Sequence, residues 1–181
     1  MNDEYYMKEA LKEAMKASKK GEVPVGCIIV KDDQIIARSH NTRHEKKSVF
    51  DHAEILAIKK ATKKLNSWIL DDVSIYVTLE PCLMCAGTII QSRIKRLVYA
   101  TSEPKHGACG SIIDVFDKDK YKFNHTVEVV SGVLETESKK ILKDFFTNLR
   151  KTKQLNKKSE TQKMSITLHN VPKKINHKRI L

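Results

Sequence analysis

"VSIYVTLEPCLMC", residues 73–85, changes its period partway along. From Val73 to Thr78 apolar and polar residues alternate, which is the two-residue repeat of a strand. Pro81-Cys82 then opens a helix, because proline lacks an N–H that a first helical turn could not satisfy anyway. That helix is expected to run to about Ser92. A strand leading directly into a helix is half of a strand–helix–strand unit, and the flanking sequence supplies the rest.

Upstream, Tyr6, Ala10, Leu11, Ala14, Met15 and Ala17 recur at helical spacing until Lys19-Lys20-Gly21. "VPVGCIIVKDDQIIARSHN", residues 23–41, reads as two strands around an Asp32-Asp33 turn. A polar loop is expected from Asn41 to Ser48, then a helix opening near His52 with Ile55, Leu56 and Ile58 inward. Downstream come a strand at Arg96–Ala100, a loop at Ser102–Gly110, a strand at Val127–Val130 and a helix at Thr136–Leu149. Alternating strands and helices predict one layered α/β domain whose sheet is at least partly parallel. Beyond about Lys153 the pattern is polar and irregular, so the expected division is a domain over 1–153 and a basic, flexible tail over 154–181.

At 181 residues the chain suits one well-packed domain. It has no apolar run long enough to span a membrane, and its charged N-terminus lacks the apolar core of a secretion signal. Four irregularly spaced cysteines do not resemble a disulfide framework, which points to a reducing, cytoplasmic setting. The net charge is +12, and ten Lys/Arg against Glu160 put +9 of it from Arg150 onward. Such asymmetry fits either a polyanionic partner such as nucleic acid or a solvated, Lys-rich tail.

The chemistry lies in "HAEI", from His52, and "PCLMC", from Pro81 to Cys85. Cys82 and Cys85, three apart at a helix start, share a face and a positive dipole that favours thiolates. His52 can supply a third ligand, whereas Cys27 in an apolar run and Cys109 in a Gly-rich loop read as core and loop residues. A structural zinc site closes with four protein ligands, and a catalytic one leaves a position open. Three ligands therefore favour catalysis. Glu54, in the same first turn as His52, is placed to shuttle protons without binding the metal.

These motifs resemble the zinc-dependent nucleoside deaminases, and within them the branch of bacterial tRNA-specific adenosine deaminases. The likeness spans roughly Glu4 to Arg150 through "EVPVGCIIV", His40-Asn41, "HAEILAI", "YVTLEPCLMCAGTIIQSRI", "GACGSIIDV" and "DFF". It implies a cytidine-deaminase-like mixed sheet of about five strands flanked by helices, and a homodimer whose partner helps form the RNA site. It also implies one Zn2+ per subunit on His52, Cys82 and Cys85, with Glu54 relaying protons while water displaces ammonia from C6 of adenine. The implied product is inosine at the wobble position of a tRNA anticodon stem-loop. Asn41 matches a position that hydrogen-bonds the flipped base, Glu103 and Lys105 lie in a loop that contacts RNA, and Phe145 matches one that flanks it. Asp51 before His52, Ser102 and Glu103 depart from the usual family residues. Two other readings use the same residues: a deaminase of a free base or nucleoside of guanine or cytosine type, and a non-catalytic RNA-binding subunit with structural zinc. Glu54 speaks against the second, since a structural site has no use for that carboxylate.

Overall fold

The computed structural model describes the backbone of residues 2–169 and the side chains of 2–155. In chain order the elements are α1 (Asp3–Lys19), β1 (Gly26–Lys31), β2 (Gln34–His40), α2 (Arg43–Lys46) and α3 (Ala53–Leu65). They continue with β3 (Ser74–Leu79), α4 (Leu83–Gln91), β4 (Arg96–Thr101), β5 (Glu128–Ser131) and α5 (Glu135–His169). The sheet order is β2-β1-β3-β4-β5. β1 pairs antiparallel with β2 and β3, while β3, β4 and β5 run parallel. The expected five-stranded mixed sheet flanked by helices is thus what the chain forms.

The hairpin between β1 and β2 closes on Asp32 (φ 47°) and Asp33 (φ 56°), both left-handed as a tight two-residue hairpin turn requires. Aspartate tolerates that region better than most residues. The sheet is buried on both sides, which is why its strands read as nearly unbroken apolar runs. Cys27, Ile29, Ile75, Val77, Leu97 and Tyr99 face one layer with Ala53, Ala57, Ala61, Ala86 and Ile89 of α3 and α4. Alternate residues Ile28, Val30, Tyr76, Val98 and Ala100 pack with Tyr6, Met7 and Ala10 of α1 on the other face. Gly26 sets how closely α1 lies: a Cβ there would sit 2.0 Å from the Ala10 carbonyl oxygen and 2.4 Å from the Ala14 nitrogen.

Two stretches differ from the sequence expectation. The polar 41–48 segment contains the short α2, because the buried Glu22 carboxylate accepts the Glu45 N–H at 2.6 Å and Lys47 ends the turn at φ 51°. Local pattern cannot reveal a partner that lies this far back in the chain. The last helix, expected to stop at Leu149, continues as α5 through His169. Its sequence has no glycine or proline and is rich in Lys and Leu, both good helix formers. Residues 170–181 of the expected tail lie outside the described residues. Among the described residues, those up to Phe145 form one compact unit and those from Phe146 to His169 belong to a second.

Candidate metal centre and active site

His52 and Cys82 occupy equivalent places, each the residue immediately before a helix, α3 and α4 respectively. Both are extended (φ −74°, ψ 151° and φ −74°, ψ 170°), and neither uses its side chain to cap the helix it precedes. Both side chains are therefore left to project off a helix N-terminus, where the backbone dipole favours anionic ligands. Cys85, in the first turn of α4 and fully buried, completes the group. His52 Nδ1 lies 3.7 Å from Cys82 Sγ and 3.5 Å from Cys85 Sγ. The three donor atoms all fall within 4.8 Å of one another, and among the described residues they are the only such group of His, Cys, Asp or Glu.

Those separations fit one ion. With Zn–N near 2.1 Å and Zn–S near 2.3 Å, the nitrogen–sulfur edge of a tetrahedron is about 3.6 Å. The observed 3.5 and 3.7 Å bracket it. One imidazole and two thiols also form a borderline-soft donor set suited to zinc, with no fourth protein donor in the group.

The two thiols are pushed in opposite directions. Cys82 is drawn down to about 4 by the hydrogen bond from Cys85, with the His52 imidazole adding to the effect against burial. Cys85 is pushed well up by that same hydrogen bond and by burial. The Cys82 sulfur also raises His52. Glu54, 4% exposed, sits in the first turn of α3 with its carboxyl raised by burial. It faces His52, Cys82 and Cys85 without belonging to the donor group.

Asn41 is buried at the end of the β1–β2 hairpin, and the Thr42 N–H bonds the Asp51 carbonyl at 3.1 Å, which brings this turn beside His52. The Asn41 amide nitrogen donates to Glu22 and to the Val23 carbonyl, each at 3.4 Å. His40 turns Nδ1 toward Glu13 Oε2 at 3.3 Å. Its side chain leaves the end of the edge strand β2 toward α1, where Glu13 is the buried acid. Glu103 and exposed Lys105 lie in the loop after β4, with the Lys105 N–H bonded to Glu103 Oε1 at 2.9 Å. That loop meets the metal turn directly, since Gly107 pairs with Cys82 and the Ala108 N–H donates to the Pro81 carbonyl at 2.9 Å. Phe145 is half-buried on α5, and Phe146 is 41% exposed. Cys27 and Cys109 are buried outside the donor group, as expected of core and loop residues.

Sequence reasoning passed over two residues. Glu22 and Glu80 are 1% and 3% exposed, and both spend their carboxylates on backbone or amide donors near the site. The available signal was an acid lodged among apolar residues in "EVPVG" and "VTLEPC".

A family model described as MafB19-like deaminase matches residues 1–150. A tRNA-specific adenosine deaminase of Bacillus subtilis (strain 168) is 47% identical over 157 residues, covering 87% of this chain and 96% of the relative. A solved structure from work on A-to-I editing by tRNA deaminases at the wobble position of transfer RNA is 41% identical, with a TM-score of 0.71. That match covers 76% of this chain and 99% of the other. A guanine deaminase of Bacillus subtilis is 35% identical at a TM-score of 0.55, over 71% of this chain and 83% of its own.

Proposed function

We propose, for a chain that belongs to the MafB19-like deaminases and among them to the tRNA-specific adenosine deaminases, hydrolysis of adenosine to inosine at the wobble position of a tRNA anticodon. The observation that carries this is a His52–Cys82–Cys85 group beside a buried carboxylate, in a chain 47% identical to such an enzyme over 96% of that enzyme's length.

His52, Cys82 and Cys85 would hold Zn2+, one per subunit. When bound, the metal supplies a Lewis acid that makes water acidic enough to react near neutral pH. Glu54 is the proton carrier. Its burial keeps it from bulk water, and its place in the first turn of α3 turns it toward the reacting centre rather than solvent. It takes a proton from the attacking water and passes it to adenine N1, then moves the second proton to N6. Carbon C6 gains the oxygen, the C6–N6 bond breaks, and ammonia leaves with inosine as the product.

Asn41 reads the flipped base. With its amide nitrogen committed to Glu22 and Val23, the carbonyl oxygen is the group left to accept from the substrate. Glu103, Lys105 and Phe145 contact the anticodon stem-loop, with Lys105 meeting phosphate. Two copies form the working unit in the cytoplasm, and the basic segment 154–181 adds charge for RNA beyond the catalytic domain of 1–153. No described helix is long and apolar enough to cross a membrane.

The guanine deaminase likeness makes a free base the competing substrate. The test is to incubate zinc-loaded protein with an anticodon stem-loop bearing adenosine at the wobble position, and in parallel with guanine, adenosine and cytidine. Inosine in the stem-loop alone is expected. Turnover of a free base without inosine in the RNA would transfer the assignment to the other branch.

A further inference from the structure

We propose that Glu80 is a positioning residue, a buried clamp that fastens both ends of the 101–111 loop to the Pro81-Cys82 turn and so presents Glu103 and Lys105 beside the metal centre.

Glu80 ends the β3 run two residues before Cys82 and is 3% exposed. One carboxylate oxygen accepts the Cys109 N–H at 2.8 Å and the Ser111 N–H at 3.1 Å. The other accepts the Glu103 N–H at 2.9 Å and the Ser111 hydroxyl. Its own N–H donates to the Thr101 carbonyl at 2.8 Å. One residue thus bonds positions 101 and 103 where the loop leaves the sheet, and 109 and 111 where it returns. A carboxylate offers about four acceptor sites. All are taken by this loop, which leaves Glu80 no free lone pair for substrate or metal.

The loop is shaped to fit the clamp. A Cβ on Gly107 would lie 2.4 Å from both Cδ and Oε2 of Glu80, and 2.6 Å from the Glu103 carbonyl oxygen. Only glycine lets the backbone close over the carboxylate. The Gly107 N–H in turn bonds the Glu103 carbonyl at 2.9 Å, so the segment carrying Lys105 is closed on itself. Fixing its ends fixes its tip. Because Gly107 also pairs with Cys82, any slack in the loop is transmitted to the mouth of the site.

Glu80→Gln keeps the volume but replaces one acceptor oxygen with an amide NH2 donor facing N–H groups. Gly107→Ala leaves the carboxylate untouched and displaces it from the loop instead. Hydrogen exchange on zinc-loaded protein reads the clamp without any RNA, and amides of 103–111 are expected to exchange at least about tenfold faster in both variants. The effect on RNA rests on the function proposed above. KM for the anticodon stem-loop should rise about tenfold, kcat should fall far less, and zinc content should hold at the wild-type level. Wild-type exchange in both variants would overturn the clamp. So would a loss confined to kcat, which would put Glu80 at the reacting atoms. A wild-type protein that makes no inosine would instead sink the proposed function, and the exchange result would still stand or fall by itself. Should Glu80→Gln fail to fold, Gly107→Ala carries both measurements.

Discussion

Two glycines offer the same chemical change with opposite consequences. A methyl at Gly26 would lie 2.0 Å from the Ala10 carbonyl oxygen, 1.4 Å inside the 3.4 Å where ordinary contact begins. The obstacle is helix backbone, which cannot rotate away as a side chain would. Helix α1 must therefore lift off β1, loosening the fully buried Met7, Ala10, Ala14 and Ala17. Overpacking of this kind costs roughly 1–3 kcal/mol, and a backbone obstacle puts Gly26→Ala near the top, at about 3 kcal/mol. For a chain of this size that is a fall in Tm of about 6–12 °C. Gly87, inside α4, would meet nothing within 4 Å. There the change removes only the entropic penalty of a helical glycine, so Gly87→Ala should gain about 0.5–1 kcal/mol. Urea denaturation of the zinc-loaded proteins, with m-values checked for constancy, measures both. A Gly26→Ala loss below about 0.5 kcal/mol, or the same sign at both sites, would refute the packing argument.

Glu54→Gln should retain zinc and RNA affinity while lowering kcat about 10²–10⁴-fold, the usual worth of a positioned acid–base; single-turnover inosine formation checks it, and a loss under about tenfold would remove Glu54 from proton transfer. In acid, Asp3 is held low first by its hydrogen bonds from Arg96, Glu9 by Lys12 and then Arg38, and Glu13 by Lys16 and His40 against the opposing effect of burial. Folded values below unfolded ones mean their stabilisation is intact above about pH 4–4.5 and is lost as pH falls through the depressed values. Asp3→Asn should lower stability at pH 7 and flatten the decline below about pH 4.5, as followed by thermal melts across pH. Removing 154–181, which carries seven Lys/Arg, should reduce the slope of log affinity against log salt by up to about 6 if each meets a phosphate. An unchanged slope would make that segment a bystander to RNA binding.

The parts of this chain that could be read from sequence are those whose physics is local. Alternation in residues 73–78 fixes a strand, and the Pro81-Cys82 helix start and the Asp32-Asp33 turn follow from single-residue preferences. The His52–Cys82–Cys85 group was readable for a related reason. Each ligand stands directly before or within a helix's first turn, so a three-residue spacing and a helix start already constrain where the side chains converge. What could not be read was set by partners distant in sequence. The α2 turn depends on Glu22, 23 residues before Glu45, and the 101–111 loop depends on Glu80 reaching across to Ser111, 31 residues on. Buried acids look like surface residues in a composition count, because nothing nearby announces their donors. The His40–Glu13 contact is hidden in the same way, since the two residues meet across a helix–sheet contact 27 positions apart. The continuation of α5 past Leu149 has a different origin: with no apolar stripe to mark it, the only signal was the absence of breakers, and propensity without packing is a weak guide to where a helix ends. The acids hidden from sequence are also those that hold Asn41 and the Glu103–Lys105 segment in place. Motifs therefore locate the chemistry of this site, and the distant carboxylates decide how its substrate-facing groups are aimed.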